Sequence, residues 1–160
     1  MAEIEVRPGT SSDVPLILTF IRELAEYEKL APAVVATEDQ LRSALFGQRP
    51  FAEVVIANLD ATPVGFALFF PNYSTFLGRP GMYLEDLFVR PAARGAGVGR
   101  ELLKYLARLT VERGWGRLEW SVLDWNEPSI GFYRRMGAMP MDEWTVFRLT
   151  GTALQTLASP

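Results

Sequence analysis

The stretch YLEDLFVRPAARGAGVGRELLKYL, Tyr83 to Leu106, constrains the fold more than any other part of the chain. Its first third is apolar enough to be a buried strand. Its last third carries Val98, Leu102 and Leu106 at four-residue spacing, one face of an amphipathic helix. Between them, glycines stand at alternate positions 95, 97 and 99. A strand passing through such a turn into a helix presents unencumbered backbone N–H groups at the helix start, an arrangement that suits an anion, most often a phosphate.

The other segments extend this into a mixed pattern. IEVRP reads as a first strand. SSDVPLILTFIRELAEYEKL reads as a helix with Ser or Asp capping, Pro15 in its first turn, and Ile17, Ile21 and Leu24 on one face. TEDQLRSALFG opens with Thr37 and Gln40 at capping-box spacing and stops at Gly47. AEVVIANL and PVGFALFF are strands joined by a turn at DAT, hence a hairpin. MYLEDLFV is a central strand interrupted by Glu85 and Asp86, and GRLEWSVL is another strand. WNEPSIGFYRRMGA is a short helix capped by Asn126 and ended by Gly137; WTVFRL is a last strand and TALQTLA a terminal helix. Hairpins together with strand-helix-strand crossovers predict an α/β (α+β) protein with a mixed, mostly antiparallel central sheet and helices on both faces. At 160 residues, a single domain spanning 1–160 is expected. Trp120, Trp125 and Trp144 read as core residues.

Two absences bound the chemistry. With no Cys, disulfides, thiolate catalysis and Cys-ligated metals are excluded; with no His, so are a Ser-His-Asp triad and the common zinc sites. No metal is expected, and any proton transfer must use Asp, Glu, Tyr, Lys or water. A net charge of −3 with no basic block argues against a nucleic-acid partner. No apolar run approaches the ~20 residues that span a bilayer, and the N-terminus lacks the order of a signal peptide, so no membrane partner and a cytoplasmic address are expected.

The glycine turn fits neither named phosphate motif. It has no Gly-Lys-Ser/Thr, and Arg100 stands where a dinucleotide fingerprint needs glycine. A ligand-free glycine-rich turn is one reading; a basic-flanked diphosphate cradle from Arg94 to Arg100 is the other. ARGAGVG following LEDLFV resembles the acetyl-CoA loop of the GNAT N-acetyltransferases, Arg/Gln-x-x-Gly-x-Gly/Ala, with Arg94, Gly97 and Gly99 in its places. IRELAEYEKL, LEDLFV and DWNEPSIGFYRRMGA are similar to the spermidine/spermine (diamine) N-acetyltransferase family, from near the N-terminus to about Trp144. The resemblance implies the GNAT fold and acetyl-CoA as co-substrate. Its diphosphate would lie on Arg94, Gly95, Ala96, Gly97, Val98, Gly99 and Arg100, and its pantetheine along Leu87, Phe88 and Val89. Asn126, Glu127, Pro128 and Ser129, with Met136, match the segment that lines the cofactor.

Acetyl transfer to an amine requires the neutral amine. For a lysine-like ammonium of pKa about 10.4, deprotonation at pH 7 costs about 4.6 kcal/mol. Glu85, Asp86 and Tyr133 are the best-placed groups for this proton traffic. Adjacent strand residues point to opposite faces, so one of Glu85 and Asp86 is expected to look into the substrate cleft and the other elsewhere; both could also be structural. The resemblance implies Glu85 as the substrate-side carboxylate, acting directly or through water. It also implies Tyr133 as proton donor to the departing thiolate, although a Tyr on an amphipathic helix also serves plain packing.

For the amine, the resemblance implies Tyr27 and Glu28 at the end of the first helix, Glu85, and Glu119, Trp120 and Ser121 on the following strand. A further carboxylate is implied after Gly137, from Asp142 or Glu143. The polyamine-specific branch carries an Asp and a Trp in the loop after the hairpin, where this chain has Ser74 and Phe76 in YSTFLGR. That loop, EYEKL and VLDWN resemble the branch associated with thialysine, a lysine-like amino acid. The expected reaction is acetyl transfer to the primary amine of such an amino acid, or of a diamine or polyamine. The alternatives are a different amine, such as a protein N-terminus or an aminoglycoside, or a non-catalytic acyl-CoA sensor. The resemblance also implies a homodimer.

Overall fold

Apolar side chains occupy both faces of the middle strands, so helices must cover the sheet on both sides. The computed structural model describes residues 2–160 as two compact units, the first running to Asp124 and the second comprising Trp125–Pro160. The first unit contains β1 (Ile4–Pro8), α1 (Val14–Tyr27), α2 (Glu38–Phe46), β2 (Glu53–Leu59), β3 (Thr62–Ser74), β4 (Arg79–Val89), α3 (Val98–Glu112) and β5 (Leu118–Trp120). The strands lie in sequence order, antiparallel from β1 to β4, with β5 parallel to β4. The mixed, mostly antiparallel sheet is therefore as expected.

One layer of the core joins α1 and α2 to the sheet: Ile17, Phe20 and Leu24 meet Leu45, Val54, Ile56, Phe66 and Phe88. The rings of Phe20 and Phe66 stack at 5.5 Å. The other layer lies under α3, whose Val98, Leu102 and Leu106 are buried, and whose Thr110 hydroxyl reaches the Met82 sulfur at 3.5 Å. Local signals place the ends. The Thr37 hydroxyl accepts the Gln40 N–H at 3.2 Å while the Gln40 side chain accepts the Thr37 N–H at 3.0 Å, the reciprocal cap of α2. The β2–β3 hairpin turns through Asp60 and Ala61, whose φ values of 48° and 66° match the right-handed strand twist.

The second unit contains α4 (Glu127–Arg135) and α5 (Gly151–Ala158). Asn126 caps α4 by accepting the Ser129 N–H, as expected, and Gly137 follows it at φ 94°.

Three expectations fail. WTVFRL is not a strand: residues 144–149 are irregular, and Phe147 is 91% exposed. Strand propensity needs a pairing edge, and none of the five strands pairs with this segment. Trp125 and Trp144 are exposed rather than core. The strand in GRLEWSVL ends at Trp120, because β4 changes course opposite the next residue.

Candidate active site

The change of course is a single extra residue. Leu68 lies opposite Asp86 and Phe69 opposite Leu84, so Glu85 has no partner on β3 and forms a β-bulge. Before it, Met82 faces α3 and Leu84, two residues on, shares its face of the strand; after it, Phe88 faces α1, its ring 6.3 Å from that of Phe20. β5 pairs only with Met82–Leu84, so from Glu85 to Val89 one edge of β4 is free of the sheet. The amides and carbonyls of Leu87 to Val89 on that edge are a ready template for an extended chain.

Glu85 is exposed and Asp86 half-buried, and both lie within electrostatic reach of Glu28 at the end of α1. Burial, and then the neighbouring charges of Glu85 and Glu28, push the Asp86 carboxyl up to about 7. Burial and the Glu85 charge also raise Glu28. Three acids crowded at one end of the sheet form a place for a cation. Among the described residues, no group of three has the arrangement that holds a metal ion.

Downstream of β4 the glycine turn runs into α3. Gly95 and Gly97 adopt φ values of 83° and 92°, which L side chains rarely tolerate, and Gly97 is the N-cap residue. The first bond closing α3 is Glu101 N–H to the Gly97 carbonyl, so the amides of Val98, Gly99 and Arg100 have no intrahelical acceptor. Their donors and the positive end of the helix dipole suit a diphosphate. Arg94, at the start of this turn, makes two contacts of its own. Its Nε donates to the Val89 carbonyl at 2.9 Å, and its guanidinium lies 4.7 Å from the centre of the Tyr27 ring.

On β5, Glu119 pairs with Arg117 at 3.0 Å and accepts from Asn72 at 3.3 Å. Ser121 and the Tyr83 hydroxyl share a 3.0 Å hydrogen bond, and Trp120 lies opposite Leu84, next to the bulge. Ser74 is buried at the hairpin tip, where its hydroxyl accepts the Leu77 N–H at 3.1 Å, and Phe76 is fully exposed. The first unit thus brings together Tyr27, Glu28, Glu85, Leu87–Val89 and the 94–100 turn, with Glu119 and Trp120 on the adjoining strand and Ser121 just beyond it. The second unit carries the rest: Asn126–Ser129 at the start of α4, Tyr133 inside it, Met136 at its end, and the exposed Asp142 and Glu143 beyond. Reasoning from sequence missed the bulge and its effect on Asp86. Two adjacent acids in an apolar strand were the available signal.

A model of the "Acetyltransferase (GNAT) family" matches residues 20–138. A thialysine N-epsilon-acetyltransferase of Bos taurus is 38% identical over 99% of both chains. An L-ornithine N5-acetyltransferase of Arabidopsis thaliana is 36% identical over 95% of this chain and 86% of that protein. Among solved structures, an integron cassette protein of V. cholerae superposes with a TM-score of 0.81 at 27% identity, covering 98% of each chain.

Proposed function

The chain belongs to the GNAT acetyltransferase family, and from that premise we propose that it moves the acetyl group of acetyl-CoA directly to the primary amine of a small cationic substrate, a lysine-like amino acid such as thialysine or a short diamine. One observation carries the reading: the β4 bulge sets Glu85 and Asp86 beside Glu28 at the head of a free strand edge that leads to the glycine turn. A cation and a diphosphate-bearing thioester would meet there.

In the proposed reaction the ammonium is drawn by the three acids, and Glu85 takes one proton from it, directly or through a water. The freed lone pair attacks the thioester carbonyl carbon. The tetrahedral oxyanion collapses, the C–S bond breaks, the electron pair leaves on the thiolate of coenzyme A, and the nitrogen gives up its second proton to water, which leaves a neutral amide. Tyr133 supplies a proton to that sulfur; a phenol of pKa about 10 is protonated at neutral pH. With no Cys in the chain to carry an acyl group, both substrates bind before transfer. The amides at the start of α3 and residues 126–129 hold the acetyl-CoA. On this reading, residues 1–160 are a single domain with a cytoplasmic address. Among the described residues no helix is long and apolar enough to cross a membrane.

The choice of amine follows from charge. A long polyamine needs acids spaced along its length, whereas Ser74 is neutral, buried and engaged in its own turn. The names of the thialysine and ornithine relatives support an amino-acid substrate. Thiol release should be measured with thialysine, ornithine, lysine, a short diamine and spermine. We expect thialysine or the short diamine to exceed spermine in kcat/KM; a tenfold preference for spermine would overturn the substrate assignment. Acetyl-CoA binding without turnover of any amine, including aminoglycosides and peptide N-termini, would make the protein an acyl-CoA sensor.

A further inference from the structure

Two arginines on the segment that leaves β4 clasp α1 at two successive points. Arg90 pairs with Glu23 at 3.0 Å and lies 4.8 Å from the centre of the Phe20 ring. One turn beyond Glu23 on the same helix, Arg94 lies over Tyr27 at 4.7 Å, with Phe88 at 5.8 Å. The carbonyl that Arg94 holds is informative. The Phe88 carbonyl points to β3, only 2.5 Å from where a Cβ on Gly65 would sit. Successive strand carbonyls alternate, so that of Val89 points to the free edge. Arg94 therefore terminates the free edge of β4, caps the ring of Tyr27 and begins the glycine turn, all at once.

We propose that Arg94 is a positioning residue for the amine: by stacking on Tyr27 while tied to the Val89 carbonyl, it holds the last turn of α1, and with it Glu28, against the Glu85–Asp86 bulge. The role rests on the acetyltransferase reading and differs from the diphosphate contact expected of a basic residue in this turn. A guanidinium can stack and donate in fixed directions at once; an ammonium keeps the charge and loses that geometry. Arg94→Lys separates the two roles. The amine KM should rise about fivefold or more, the acetyl-CoA KM should stay within about twofold, and in a Tyr27→Leu background the same substitution should add less than about twofold. A rise in acetyl-CoA KM with amine KM unchanged would make Arg94 a phosphate ligand and overturn the proposal, as would full multiplication of the two effects in the double variant. Hydrogen exchange supplies a readout independent of turnover. In Arg94→Lys, amides of residues 24–28 should exchange about tenfold faster while those in the middle of α3 are unchanged. Unchanged exchange at 24–28 sinks the proposal whether or not any amine is acetylated, whereas failure of the wild type on every amine sinks only the acetyltransferase reading.

Discussion

Asp86 is an acid held by burial and two neighbouring carboxylates at about 7, far above its ordinary range. Its ionisation near neutrality ties amine capture to pH. With the folded value raised, the native state holds an extra proton between roughly pH 4 and 7. The corresponding stabilisation is complete below the ordinary carboxyl range and is lost as pH rises through about 7. Asp13 behaves oppositely: its hydrogen bonds from Arg7 hold it at about 2, so its contribution fades only in acid and leaves the neutral window clear. We expect kcat/KM to rise with pH through about 7 as Asp86 ionises, and Asp86→Asn to lose that limb together with the fall in Tm between about pH 4 and 7. An unaltered pH profile and Tm slope in the variant would separate Asp86 from both effects. For Tyr133, replacement by Phe should lower kcat by about 10²–10⁴-fold with little change in acetyl-CoA affinity, the usual worth of a general acid. A loss under about threefold would return it to packing.

Among the elements, the glycine turn and α3 were legible because their signals are local: alternate glycines, then apolar residues at helical spacing. The helix caps at Thr37 and Asn126 were legible for the same reason. The bulge was not, since a one-residue register shift depends on pairing between β3 and β4 that neither strand specifies alone. The premature end of β5 and the missing strand at 144–149 failed likewise, through non-local pairing. For the turn itself, a Cβ on Gly97 would meet no protein atom closer than the Ile4 methyl at 3.8 Å. Beyond the backbone strain at φ 92°, the effect of Gly97→Asp is therefore electrostatic, a carboxylate placed where the helix amides would receive phosphate. Acetyl-CoA binding measured by calorimetry should vanish while the circular dichroism of the fold persists; undiminished affinity would remove the turn from the binding site.

Over the whole molecule, the second unit leaves an unusual amount of apolar surface in water. Trp144, Val146 and Phe147 are each at least three-quarters exposed, as is Met139. Such a run asks for a partner, and its strand-like composition favours a second copy of the chain. We expect a dimer mass by light scattering at micromolar concentration; a monomer would reject this. The bulge at Glu85 has its own reach. The residues before it are written for the α3 layer and those after it for the α1 layer, so this one position works as a reading-phase marker for the core. Deleting it would do more than remove a carboxylate; it would rotate Phe88 out of its layer. The acids therefore cannot migrate along β4 by insertion or deletion, and variation in substrate preference must enter through side-chain exchange on a fixed frame.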